Sequence, residues 1–203
     1  MQDAPESLAA EVVELRALLD ERDEHIAYLE KKVGIDDLTG ASNRLTFTRE
    51  LEQSLKVIRQ EVGEKRKDSI ALTQLSLISL DLDHFKKIND TYGHPVGDLV
   101  LRVVAAYLME SVRDADVVAR LGGEEFMVLI RGAGVIAAER NAERFRLHFE
   151  AMKFDGCPDL RVTASFGVIS SQETKDADTL INQVDKALYT AKESGRNRVV
   201  VYK

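Results

Sequence analysis

The sequence predicts an α+β domain built on a mixed β-sheet flanked by helices and preceded by a coiled-coil helix. Three observations predict it. Apolar residues repeat every 3.5 positions up to Gly34 and lose that repeat afterwards. Beyond Gly34, helix-period and strand-period segments alternate. The chain of 203 residues is 44% hydrophobic, enough for one cored domain plus an appendage.

Residues 1–34 are the appendage. Leu8, Val12, Leu15, Leu19, Arg22, Ile26, Leu29 and Val33 alternate spacings of four and three, the seam of a coiled coil. Other faces are mostly charged, so the seam is narrow; a single amphipathic helix packed on its own domain is the alternative. Gly34 marks the end.

Residues 35–203 form the predicted domain. Residues 43–62 read as a helix with Phe47, Leu51, Leu55 and Ile58 along one side, and 63–68 as a charged break. Residues 70–80 are a strongly apolar strand ending at Asp81. A helical turn over 85–89 and a helix over 96–111 follow. Residues 117–119 and 126–130 are short strands joined across Gly122-Gly123, a dipeptide suited to a tight hairpin. Then come a helix over 137–152, with Phe145, Phe149 and Met152 in its core stripe, a strand over 162–170, a helix over 176–193 and a strand over 199–202. The order β-α-β-β-α-β predicts a ferredoxin-like, polymerase-palm-like sheet with helices over one face.

Charge and composition exclude several functions. The net charge is −7, and residues 1–33 hold nine acids and four bases, leaving −2 for the rest. No broad basic face remains for a nucleic acid polymer, although a few charges and a metal suffice for a nucleotide. No apolar run reaches the ~18 residues of a membrane helix, and the N-terminus is acidic where a secretory signal is basic, so the expected location is the cytoplasm. A lone Cys157 excludes an intramolecular disulfide and a multi-cysteine zinc site.

The chemistry concentrates in two groups. The run DLDHFKKIND, residues 81–90, is followed by Gly93-His94 and Gly97-Asp98; the second group is Gly122-Gly123-Glu124-Glu125-Phe126. A carboxylate at the end of a buried strand suits a divalent metal, and a hairpin beside that strand brings Glu124 toward Asp81. Two such carboxylates make a metal site of the kind used in phosphoryl transfer. Taken alone, an acidic pair is usually solvated surface and Gly-Gly before a strand is usually only a turn; the spacing of the two groups decides. His84 and His94 lack ligand spacing to another histidine and belong to structure or to phosphate proximity.

The segment GGEEF, residues 122–126, resembles the signature hairpin of the GGDEF family, the diguanylate cyclases. Asp36-Asp37-Leu38-Thr39-Gly40 with Asn43-Arg44 is similar to that family's entry motif, residues 81–101 to its metal-and-guanine segment, and residues 191–198 to its closing motif. The resemblance covers residues 34–203, in the family's order. It implies that Asp81, Glu124 and the Leu82 carbonyl bind Mg²⁺ (or Mn²⁺), and that Asn89 and Asp98 hydrogen-bond guanine, whose N–H donors a carboxylate can accept. It implies that Lys192 and Arg196, four apart and read as facing one way from a helix end, contact phosphate. The amides around Phe85 and Lys86 would cradle the β- and γ-phosphates, and Gly123 would let the chain approach the nucleotide.

The implied reaction condenses two GTP into cyclic di-GMP with release of two pyrophosphates, each 3′-hydroxyl attacking the other nucleotide's α-phosphorus. Glu124 is implied as metal ligand and as the candidate base. Because each domain holds one GTP, two must face one another, and a parallel coiled coil would supply the homodimer. Arg113 and Asp116 form the only Arg-x-x-Asp of the chain, where the family carries its product-inhibition site, with Arg144 as a candidate partner for bound cyclic di-GMP. The chain departs from the entry motif at Ala41 and Leu45, outside the metal and guanine groups. A non-catalytic module that binds GTP or cyclic di-GMP and signals through the coiled coil is the competing class; retention of Asp81, Glu124, Lys192 and Arg196 weighs against it, and Asp98 weighs against a mixed dinucleotide product. The layout resembles the output half of a longer signalling protein.

Overall fold

The computed structural model describes residues 34–61, 73–172 and 176–203, together with Arg16, Leu18, Leu19 and Arg22, which are helical. The rest of the predicted coiled coil, the charged break and the first residues of the strand over 70–80 lie outside the described residues. The chain divides into two compact units, Met1–Ile35 and Asp36–Lys203.

In the second unit a two-residue strand β1 (Ser42–Asn43) leads into helix α1 (Arg44–Glu61). Strand β2 (Leu75–Leu82) is followed by α2 (Phe85–Tyr92) and α3 (His94–Ser111). The hairpin β3 (Val117–Gly122) and β4 (Glu125–Arg131) precedes α4 (Val135–Ala151), and β5 (Ala164–Ser170), α5 (Ala177–Glu193) and β6 (Val199–Val201) complete the fold. The sheet order is β1-β3-β4-β2-β5-β6; β1 pairs with β3 and β6 with β5 in parallel, and the inner pairings are antiparallel. The inner four strands with α3 and α4 reproduce the predicted ferredoxin-like order.

The helices cover both faces of the sheet rather than one. Ile78, Leu80 and Leu82 share a core with Val104, Leu108, Phe145 and Phe149 of α3 and α4, whereas Leu75 and Leu77 share another with Phe47 and Leu51 of α1 and Val184 of α5. The reason is visible in β2: all eight of its residues are buried. A central strand apolar on both sides needs a helical layer on each. Period-2 alternation then puts Ser79 and Asp81 on the α1/α5 face with Leu75 and Leu77.

Several boundaries moved. Strand β2 runs on to Leu82, so Asp81 lies inside the ladder, not beyond it. The turn expected over 85–89 is a helix of eight residues. The strand β1 was not anticipated; two residues carry no periodicity. Asp176 caps α5 instead of starting it, accepting the Thr179 amide at 2.9 Å. Helix α5 lies directly on β5, because a methyl group at Gly167 would strike the Val184 carbonyl oxygen and come within 3.1 Å of the Leu188 Cα. That approach seats the end of α5 over the end of β2.

Candidate active site

The geometry begins with register. Asp81 of β2 stands opposite Glu125 of β4 and Ser165 of β5. One residue further, the Leu82 amide donates to the Glu124 carbonyl at 3.3 Å. The acidic turn therefore folds back beside Asp81. Glu124 is half-buried and Glu125 exposed.

The Asp81 carboxylate is buried, and its Oδ2 lies 2.8 Å from Nζ of Lys192. Burial pushes the carboxyl above its ordinary range; the Lys192 hydrogen bond and charge oppose that, while the charges of Glu125 and Asp83 add to it. The ammonium marks a place where a cation is favoured. Among the described residues no three His, Cys, Asp or Glu side chains converge into a self-contained metal cage. The carboxylate that the register sets beside Asp81 is that of Glu125; Glu124 joins this neighbourhood through its backbone carbonyl on the Leu82 amide. Carboxylate and carbonyl oxygens of this kind suit a hard cation such as Mg²⁺ or Mn²⁺, whose shell water and substrate phosphate complete.

Beyond β2, His84 takes a left-handed conformation (φ 55°) and opens α2 without a side-chain cap. The first-turn amides, those of Phe85 and Lys86, thus lack intrahelical acceptors. The Phe85 ring belongs to the core, so its contribution to a ligand is its backbone; Lys86 is exposed. Asn89 packs against the first turn of α3 at Gly97. A Cβ there would collide with the Asn89 Oδ1 and stand 3.3 Å from the Phe85 ring. Gly97 therefore makes room for the Asn89 amide. With Asn89 in the guanine-binding role that the family resemblance implies, Gly97→Ala should leave α3 intact, since alanine favours helix, but turn Asn89 aside and raise the KM for GTP about tenfold. Steady-state kinetics with a thermal melt checks this; an unchanged KM would remove Asn89 from base recognition.

The closing motif differs from expectation in one respect. Lys192 lies in the last turn of α5, but the helix ends at Glu193, and Arg196 (φ 61°) and Asn197 (φ 44°) follow in left-handed conformations. The two cations do not share a helix face, because Gly195 and the Arg196 amide, bonded to the Ala191 carbonyl at 3.1 Å, turn the chain away. Arg196 is exposed.

Two supporting residues escaped sequence reasoning. Asp83 is 5% exposed and accepts from Thr163 Oγ1 at 2.8 Å, Ser165 Oγ at 2.7 Å and the Asn197 amide at 3.0 Å. It ties the turn carrying Arg196 to the end of β2. Only its place two residues after Asp81 hinted at this. Arg120 donates from Nε to the Gly123 carbonyl at 2.9 Å and from Nη1 to both Asp36 oxygens at 3.1 and 3.2 Å. The entry motif thus braces the turn that contains Gly123, which is itself exposed. Burial alone would raise the Asp36 carboxyl, but hydrogen bonds from Thr39 and Arg120 and the Arg120 charge hold it below the usual range. This brace contributes stability above the ordinary carboxylate range and loses it as the pH falls through the lowered value. His84 and Lys87 face a cavity of about 420 Å³ shared with Tyr92, Arg161 and Thr163.

Arg113, Asp116 and Arg144 line a second cavity, of about 310 Å³, with Ser111, Arg131 and Asn141. Asp116 is held by backbone amides rather than by the Arg113 guanidinium: Oδ2 accepts the Arg113 N–H at 3.1 Å and Oδ1 the Arg131 N–H at 2.9 Å. Arg113 is exposed, and Arg144 donates to the Ser111 carbonyl at 2.8 Å.

The domain thus combines a palm-type sheet, an acidic turn against a buried aspartate near the end of β2 and an uncapped helix beside it. The chain belongs to the GGDEF family: the family model described as "Diguanylate cyclase, GGDEF domain" matches residues 33–198. It is 37% identical over 179 residues to the diguanylate cyclase DgcP of Pseudomonas aeruginosa, covering 87% of this chain and 25% of that protein. It is 40% identical over 169 residues to the response regulator PleD of Caulobacter vibrioides, covering 81% and 35%. This chain thus spans a quarter to about a third of those relatives. Among solved structures, the coiled coil and GGDEF domain of DgcB from Caulobacter crescentus, in complex with c-di-GMP, superimposes with a TM-score of 0.77 at 28% identity, covering 96% of this chain and 99% of that one. The active GGEEF domain of a Vibrio cholerae diguanylate cyclase gives 0.70 at 30% identity, covering 79% and 97%. No helix among the described residues is long and apolar enough to cross a membrane.

Proposed function

We propose that this chain condenses two GTP into cyclic di-GMP and two pyrophosphates, working as a homodimer in the cytoplasm. The observation that carries the reading is the placement of the GGEEF turn: Glu125 opposite Asp81 in the ladder and the Glu124 carbonyl on the Leu82 amide. Asp81, Glu124 and the Leu82 carbonyl would hold Mg²⁺ or Mn²⁺. When bound, such an ion neutralises charge on the α-phosphate and lowers the pKa of the attacking 3′-hydroxyl. The chain's own groups do the positioning. Asn89 and Asp98 orient guanine, and the first-turn amides of α2 with Lys86, Lys192 and Arg196 bind the triphosphate. Glu124 is the candidate acceptor of the 3′-hydroxyl proton.

Residues 1–34 serve as the dimerising helix and 35–203 as the catalytic domain. Leu19, a seam residue, is helical and 47% exposed. Chromatographic detection of cyclic di-GMP and pyrophosphate from GTP and Mg²⁺ tests the reading. Tight GTP binding without turnover would replace it with the binding-module reading.

The Arg113–Asp116–Arg144 cavity is the proposed product-inhibition site. Guanidinium forks suit the guanine edge and phosphates of cyclic di-GMP. Arg113→Ala should raise the concentration of added product needed for half-inhibition at least about tenfold, since a charged hydrogen bond is worth ~1.5–3 kcal/mol, with initial turnover kept. Equal inhibition of both proteins would remove the assignment.

A further inference from the structure

Lys192 sits on the oxygen that the reading above gives to a metal, while the same reading gives its ammonium to a phosphate. Its Nζ sits 2.8 Å from Asp81 Oδ2, with side-chain exposures of 30% and 12%. The surroundings explain why the ammonium rests where it does. Asp81 shares its neighbourhood with the charges of Glu125 and Asp83, so a cation there relieves a concentration of negative charge. Asp185, seven residues earlier on α5, also faces the Lys192 charge and accepts the Ser79 hydroxyl at 3.2 Å.

A divalent ion approaching Asp81 therefore meets an occupied oxygen and a like charge a few ångströms away. Lysine is a compact charge on a flexible four-carbon stem, and it can leave without disturbing the backbone. A triphosphate gives it a stronger set of anionic oxygens to move to. Resting on the cyclase reading, we propose that Lys192 is a placeholder cation: it competes with the metal for Asp81 in the nucleotide-free domain and hands the carboxylate over when the triphosphate draws it away. Metal and nucleotide then bind cooperatively through this one side chain, and the coupling is reciprocal. The consequence is selective: an empty site holds metal weakly, and the loaded site holds both.

The test is Mn²⁺ affinity of the full chain, measured by electron paramagnetic resonance, with and without 3′-deoxyGTP, which lacks the attacking hydroxyl. Wild-type protein should bind Mn²⁺ about tenfold or more tightly once 3′-deoxyGTP is present. K192M should bind Mn²⁺ about fivefold more tightly than wild type without nucleotide, and gain less from adding it. R196M deletes an equal charge from the same motif without touching Asp81, and should change nucleotide-free Mn²⁺ affinity less than about twofold. K192Q, with a smaller change of polarity, repeats the measurement should K192M melt early. Nucleotide-free affinity that stays level or weakens in the Lys192 variants, or that rises equally in R196M, overturns the handover. Wild-type GTP turnover measured on the same preparation separates the two claims: turnover with a failed handover leaves the cyclase reading standing. Mn²⁺ binding that D81N leaves untouched overturns the metal site and the handover together.

Discussion

Asp81→Asn is expected to lower GTP turnover about a thousandfold, the scale on which removing one preorganised charge from a transition-state site acts. Asparagine has the shape of aspartate and fits the same ladder position opposite Glu125 and Ser165. The backbone bond from the Leu82 amide to the Glu124 carbonyl is unaffected. What disappears is the charge that holds Lys192 and, in the proposed reaction, the metal. The fold should survive, because the native carboxylate is itself costly to bury: its pKa is raised, foremost by desolvation. The folded state then binds the proton more readily than the unfolded state. Its contribution to stability is fully present below the ordinary carboxylate value and is lost as pH rises from there through the raised one. The variant should lack that loss, so its melting temperature relative to wild type should improve across this interval while turnover stays near zero. Parallel melts and product assays check both halves; substantial turnover would take Asp81 out of the chemistry.

Removing residues 1–33 is expected to leave a folded monomer whose turnover, at low protein concentration, falls at least about a hundredfold. Asp36–Lys203 is a compact unit of its own, with two cores built from its own helices and sheet, so it does not need the appendage to fold. The expected loss is one of encounter. A tether supplies an effective concentration in the millimolar range, and free domains at micromolar concentration forfeit about three orders of magnitude of that. Turnover per domain should therefore rise with concentration in the truncated protein and stay flat in the full chain. Light scattering establishes the oligomeric state, and replacement by an unrelated parallel coiled coil should restore activity. Full activity from the dilute monomer would end the two-domain mechanism.

Some of this was legible in the chain itself. The alternation of periods marked most helices and strands to within a few residues, because burial of Phe47, Leu51, Leu55 and Ile58 on one side is a local pattern. The motif residues were legible for the same reason: Asp81, Asn89, Asp98 and the GGEEF turn are short-range signals whose spacing survives without coordinates.

What required the tertiary structure is every relation between distant segments. That helices cover both faces follows from β2 being buried on each side by neighbours that the sequence places far away. Arg120 belongs to no motif, and Asp83 is marked only by its place in the run that begins at Asp81. They matter because 84 and 114 residues separate them from the Asp36 side chain and Asn197 amide they hold. The same holds for Lys192, which the closing motif marks as a phosphate contact and not as a neighbour of Asp81; the close approach of α5 at Gly167 carries it onto Asp81. Periodicity reports which side of an element is apolar, a property of neighbouring residues. Which charge meets which depends on how the layers stack, and that is decided only when the sheet closes.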